Sequence, residues 1–525
     1  MSIELLIKNG TILDGTGSKA FKADIALEKG RIVEIGRIET NNVEKIDAEG
    51  FYVTPGFIDI HSHSDWTLLV DPRAVSAIHQ GVTLEVLGNC GYGCFPIKNP
   101  EISKQIIYGY SEEINIEWNR AADYFDRIEK IKPAVNVLSL VPNGQLRLAT
   151  MGFNPNPASP QETLEMKFLL EKSLDEGAWG YSTGLEYSSE SGASEFEIQE
   201  LCKTVKRYGG LYATHTRKRD EGAVEAVEEA LRTAELSGVR LQISHLLPRS
   251  GHEECERCID LVDKARLNGI DVHFDMHTRL FGLTYLHSVI PPWVNQDPGA
   301  LIKALQDKNV RFKMKQFESI LSSGKNWHRI TLLDNSIWSQ YSRRNLGDIS
   351  LERGQDALDT VYDLLQKNIE RKHELMVIIN CYNEVQQKEV FSHPLCMPAS
   401  DATDLAKDGP LSNSIFHGAY TWAAWFYRFM VLEKEALTPE EAIHKLTGLP
   451  ASILGLKNRG ILNVGAHADI TVFDPSNFSE QGTTFEPNKL ASGMKHVFVN
   501  GVLTLTNGTL TGERGGSVIR RENQI

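Results

Sequence analysis

Residues 59–65, Asp59-Ile60-His61-Ser62-His63-Ser64-Asp65, decide how this chain reads. They close a short apolar run over 57–61, and in a strand residues i and i+2 point to the same face. His61 and His63 then lie about 7 Å apart on one side, where two imidazoles can converge on a metal ion. A lone His-x-His is common, so its meaning depends on what other strands bring. Thr214-His215-Thr216 ends a candidate strand over 210–215, Ser244-His245 ends one over 240–245, and Ser400-Asp401 ends one over 395–400. Further β segments at 82–87, 134–141, 178–184 and 270–275 complete a set of eight. Most are separated by helical stretches that are apolar at i, i+3, i+4 and closed by Gly. This alternation is the texture of a βα barrel, in which parallel strands bring their C-terminal ends to one mouth. Four histidines and an aspartate from four strand ends would meet there. Imidazole and carboxylate are zinc-type ligands, and zinc accepts such mixed sets with a position left open for water. Cys90, in Gly88-Asn89-Cys90-Gly91 after the second strand, would face the same mouth as a thiolate.

The rest of the chain frames this barrel. A ninth strand-like run, Met376–Asn380, is one too many and is expected to lie outside it. Between Val289 and Asn345 the βα rhythm fails, beginning at Ile290-Pro291-Pro292-Trp293. We read 289–345 as a lid-like segment inserted after the seventh strand. Residues 1–56 and 456–525 share a different texture, alternating apolar and polar residues broken by Asn9-Gly10 and Asn500-Gly501. They are expected to form one small β-sandwich from both chain ends, leaving 57–455 as the barrel. The aromatic-rich run Tyr420–Tyr427 suits either a buried barrel helix or an apolar pocket wall.

Composition excludes several classes of function. With 41% hydrophobic and 24% charged residues, the chain is an ordinary globular protein rather than a disordered or fibrous one. A net charge of −14 and no long basic run argue against a nucleic-acid partner. The short cluster Arg217-Lys218-Arg219 is followed at once by Asp220 and Glu221. No window approaches 18 apolar residues, so no membrane span is expected. Seven scattered cysteines suit a reducing compartment, the cytoplasm, better than a disulfide framework. Cys255-x-x-Cys258 has no second pair to complete a zinc knuckle and reads as structural. No glycine-rich nucleotide loop is present. A homo-oligomer is compatible with the sequence and not specified by it.

The segments 54–65, 81–91, 177–187, 210–217, 238–246, 400–402, 446–475 and 499–503 resemble the amidohydrolase superfamily. Within it the chain is similar to the N-acyl-D-amino-acid deacylases, or D-aminoacylases, over nearly its whole length. Cys90 is the more specific mark, because many relatives use a carboxylated lysine there. The resemblance implies a distorted (β/α)8 barrel with a tight zinc held by Cys90, His215 and His245. It also implies a second, weaker metal position formed by His61 and His63 with Cys90 and Asp401. The implied reaction is hydrolysis of the amide bond of an N-acylated amino acid, D favoured, by a zinc-activated water with Asp401 as general base. Tyr187, three residues after Gly184, is implied as a substrate contact.

The substrate shell departs from the family pattern. Asn143 stands where a histidine is usual, and His245-Leu246-Leu247 replaces His-Leu-Lys. Asp275-Met276-His277-Thr278-Arg279 replaces Asp-x-Tyr-Pro-Tyr, and His417-Gly418-Ala419 replaces His-Pro-Arg. One expectation is that Asn143 and Arg279 supply replacement contacts to the oxyanion and the carboxylate. The alternatives are hydrolysis of another linear or cyclic amide, or a lactone, without that carboxylate, and a non-catalytic hydantoinase-like scaffold. Retention of His61, His63, Cys90, His215, His245 and Asp401 argues against the scaffold.

Overall fold

The computed structural model describes residues 3–521 apart from 42, 112, 295–297 and 368. Its centre is a ring of short parallel strands: β1 (Phe57–Asp59), β2 (Val82–Leu87), β3 (Asn136–Ser139, continued by Val141–Pro142), β4 (Gly180–Gly184), β5 (Leu211–His215), β6 (Arg240–Ile243), β7 (Val272–His277) and β8 (Cys396–Ala399). Each pairs in parallel with the next. β3 changes partner at Leu140, its first half pairing with β2 and its second with β4. Beyond the strand ends, β8 meets β1: Asp401 N–H donates to the His61 carbonyl at 2.9 Å, and His63 N–H to the Ala402 carbonyl at 2.8 Å. The eight strands thus form the (β/α)8 barrel. Every residue of β2 and β7 is buried, as strands covered on both faces by a barrel require. Trp422–Tyr427 is a helix that packs into the main core, whereas Tyr420 joins a separate cluster with Leu405, Leu411 and Phe416.

β2 leaves the barrel through Gly88, whose φ of 75° favours glycine. A Cβ at Gly88 would lie 2.2 Å from the Leu140 carbonyl oxygen, at the point where β3 changes partner. Gly88→Ala therefore combines a left-handed backbone with a backbone clash, and is expected to cost about 3 kcal/mol or more. Gly354→Ala, at φ 62° with nothing within 4 Å of its Cβ, is the control and should cost about 1 kcal/mol. Urea midpoints of the two variants check this; equal midpoints would show that the Leu140 contact is unimportant.

Met376–Asn380 pairs antiparallel with Phe281–Tyr285 and Ile330–Leu332 in a separate three-stranded sheet, outside the barrel. The inserted unit consequently runs from Phe281 to Asn380, wider than 289–345, around its own apolar cluster that includes Leu286, Leu305, Val361 and Ile379. Its outer strands are short and half-exposed, and each finds its partner far along the chain, so no local pattern marks its limits.

The chain ends share one nine-stranded sheet. Tyr52–Pro55 pairs in parallel with Leu5–Ile12 on one side and antiparallel with Ile470–Phe473 on the other. Ile7, Ile25, Val53, Val472 and Phe498 form its core, drawn from both ends. The C-terminal tail then crosses the barrel: Ile519 N–H donates to the Val137 carbonyl at 2.7 Å, and the Trp179 indole to the Ile519 carbonyl. Among the described residues no helix is long and apolar enough to cross a membrane.

Candidate metal centre

Three residues at the barrel mouth hold left-handed backbones although none is glycine: Cys90 (φ 52°), His245 (φ 37°) and Asp401 (φ 45°). Each such conformation costs on the order of 1–2 kcal/mol, and strain of this kind concentrates at functional sites. Here it turns the side chains after β2, β6 and β8 toward one place. Cys90 Sγ lies 3.2 Å from His61 Nε2 and 3.6 Å from His245 Nε2. Asp401 Oδ1 lies 3.6 Å from His61 Nε2 and 3.3 Å from His63 Nε2. Two overlapping groups result, His61–Cys90–His245 and His61–His63–Asp401, and in each the ligand atoms lie within 4.8 Å of one another. His61 belongs to both.

Carboxylates behind the ligands fix their rings. Asp275 places two oxygens 3.2 and 3.3 Å from His61 Nδ1, and it also accepts the His245 backbone N–H at 2.8 Å. His61 therefore presents Nε2 to Cys90 and Asp401. His215 stands apart from both groups, its ring centroid 4.6 Å from that of His245. Its Nε2 is taken by Glu186 at 2.8 Å, while Nδ1 is buried with no hydrogen-bond partner. Nδ1 is thus the atom His215 could offer to a metal. Glu186 is itself held by Arg249, which also donates to Asp220 at 2.9 Å.

The electrostatics fit a cation. Burial pushes the Cys90 thiol up to about 11, and His61 offsets only part of this, so a thiolate at neutral pH needs a further positive charge. Burial carries His215 down to about 4 against the pull of Glu186, leaving it neutral, the form that ligates metals. Burial opposes ionisation of Asp401, yet the His63 hydrogen bond and the Arg279 charge outweigh it and hold the carboxyl well below its ordinary range. A soft thiolate, neutral imidazoles and a carboxylate are a zinc-type donor set.

The expected substrate contacts fare differently. Tyr187 packs against His215, with ring centroids 4.6 Å apart. Asn143 is fully buried and donates to Glu190 at 2.8 Å. Arg279 is committed as well: Nη2 donates to Asp401 Oδ2 at 2.7 Å, and Nη1 to the carbonyls of Ser400 and His417. Asn143 Nδ2 and both Nη groups of Arg279 are thus engaged by protein, and among the guanidinium nitrogens of Arg279 Nε alone has no partner. Gly418 makes room for this arrangement, since a Cβ there would lie 2.4 Å from Arg279 Nη1. Sequence reasoning missed Asp275 and Glu186, whose only signal was an acid close to a strand end. It also missed Tyr108, whose ring lies 4.7 Å from that of His63. Tyr92, Tyr108 and Phe416, with Tyr285, Leu333 and Met376 of the inserted unit, line a cavity of about 950 Å³ that meets the site at Tyr108.

The amidohydrolase family model matches residues 44–315 and 405–505. An N-acyl-D-aspartate deacylase of Alcaligenes xylosoxydans xylosoxydans is 30% identical over 522 residues, 98% of this chain and 95% of its own. The chain belongs to the amidohydrolase family. As an amidohydrolase it is a metal-dependent hydrolase of C–N amide bonds. Two solved structures resemble this amidohydrolase along 99% of its chain and 100% of their own, each 27% identical. One is a D-aminoacylase with a binuclear metal centre, described by one-metal activation and second-metal attenuation (TM-score 0.82). The other is an N-acyl-D-glutamate deacylase from Bordetella bronchiseptica, complexed with zinc and a phosphonate mimic of the tetrahedral intermediate (TM-score 0.81).

Proposed function

We propose that this amidohydrolase cleaves the amide bond of N-acylated amino acids, D favoured, releasing a carboxylic acid and a free amine. The observation that supports this most is the pair of ligand groups sharing His61 at the ends of the barrel strands. Cys90, His215 and His245 would hold a tight zinc, and His61, His63, Cys90 and Asp401 a second, weaker one. Zinc bound there supplies a Lewis acid that lowers the pKa of water and polarises a carbonyl. Asp401 takes a proton from the attacking water and returns it to the departing nitrogen. His63 and Arg279 hold that carboxylate ionised and in place. Tyr187, against His215, is the proposed substrate contact. Catalysis belongs to the domain 57–455, with the terminal β domain (1–56 and 456–525) as its support. Free cysteines throughout, Cys90 among them, suit a cytoplasmic setting.

Metal analysis, followed by amine release from matched N-acetyl-D and N-acetyl-L amino acids beside carboxylate-free amides, tests the reading. We expect zinc in the purified chain and faster release from the D series. A zinc-replete sample that releases no amine from any of these substrates would overturn it. Glu186→Gln removes the charge that orients His215 and is expected to weaken zinc affinity by about 10- to 100-fold. Competition with a zinc chelator measures the change, and unaltered affinity would take His215 out of the tight site.

A further inference from the structure

Three guanidinium groups stand close around the barrel mouth, and two are paired with carboxylates: Arg249 with Glu186 and Asp220, and Arg279 with Asp401. The third, Arg219, is only 6% exposed. Its Nη2 donates to three uncharged oxygens, the carbonyls of His245 (2.6 Å) and Leu247 (2.9 Å) and the Tyr382 hydroxyl (2.8 Å). Among the described residues Arg219 has no carboxylate partner, and its Nε and Nη1 make no hydrogen bond to protein. The basic cluster noted in the sequence is thus divided: Arg217 pairs with Glu229 and Lys218 with Glu318, and only Arg219 lacks an acid. A cation withdrawn from water without a counter-charge carries a desolvation penalty that a partner normally offsets.

The position of Arg219 says where that partner comes from. It follows β5, four residues after His215, and is tied to the loop that carries His245. Its charge bears on His215, His245 and His277, in each case disfavouring protonation after the larger effect of burial. The other cation of that loop, Arg249, is taken by Glu186 and Asp220, and Leu247, between His245 and Arg249, is apolar and buried. With Arg279 committed to Asp401, Arg219 is the cation beside the metal centre whose charge is not matched by protein.

Resting on the reading of the site as an N-acyl amino acid hydrolase, we propose that Arg219 recognises the substrate's carboxylate through its remaining N–H groups. It is a specificity residue, and it replaces the contact that the sequence led us to expect from Arg279. Substrates with a free carboxylate are accordingly preferred over their neutral amides.

Calorimetry with two uncleavable probes, an N-methylsulfonyl-D-amino acid and its carboxamide, tests this independently of turnover. The acid is expected to bind the holoenzyme on the order of 30-fold more tightly than the amide. Arg219→Gln should weaken the acid about 30-fold and leave the amide within about threefold, and Arg219→Lys should recover part of the loss. In kinetics the variant should raise KM for N-acetyl-D-amino acids much more than it lowers kcat. Equal binding of acid and amide to the wild type overturns the proposal, and this comparison needs no variant to fold. Equal loss of both probes in Arg219→Gln also overturns it, showing that Arg219 only braces the His245 loop. Amine release without preference for the acid would defeat this assignment alone. Acid preference without amine release would defeat the hydrolytic reading instead.

Discussion

Asp401→Asn is expected to lower kcat by about 10³-fold while the tightly held zinc stays at the wild-type level. The substitution keeps the shape of the side chain and the backbone bond from Asp401 N–H to the His61 carbonyl, so the barrel closure between β8 and β1 survives. It removes the charge that His63 and Arg279 now hold ionised, and with it the group able to accept and return a proton. The tight ligand set of Cys90, His215 and His245 is untouched, so loss of the tight zinc cannot account for the defect. Amine release measured beside metal per chain separates the two effects. A rate near that of the wild type would remove Asp401 from the proton transfer.

Cys90→Ser is expected to weaken zinc binding by at least about 100-fold and to abolish activity at ordinary zinc concentrations. A buried hydroxyl has a far higher pKa than a thiol and cannot become the anionic ligand that this thiol becomes beside a cation. Serine is close in size and meets the same left-handed backbone at φ 52°, so the fold should be retained. Added zinc should raise the Tm of the wild type in proportion to the logarithm of its concentration, and should move the variant little. Equal zinc shifts in both proteins would show that the tight site lies elsewhere.

The residues legible beforehand were those whose meaning follows from local rules. The period of a strand puts His61 and His63 on one face, and parallel strands bring His215, His245 and Asp401 to the same end. What stayed hidden depends on partners far away in sequence. Asn143 and Arg279 are residue types that suit substrate binding, yet Glu190 and Asp401 engage them, and nothing near either position signals that. Asp275 and Glu186 are ordinary acids near strand ends until the barrel sets them behind His61 and His215. Arg219 is the converse case. Its neighbours Arg217 and Lys218 meet acids on helices and loops, and only the folded arrangement shows that it does not. The limits of the inserted unit were missed for the same reason, since Phe281–Tyr285 is recognisable as a strand only beside Met376–Asn380.

The sheet built from both chain ends governs how the molecule can be made. Tyr52–Pro55 emerges early from the ribosome, but one of its two neighbours, Ile470–Phe473, is translated near the end. The barrel strand Phe57–Asp59 follows it directly, and the segment that closes the ring beside it, β8, is also a late product. At typical rates of synthesis the early strands wait roughly 20 to 80 seconds for those partners. Throughout that interval their edges stand open, so a nascent or C-terminally truncated chain presents β templates prone to aggregation. Recovery of active protein should therefore depend on chaperone supply during translation more than on the stability of the finished fold.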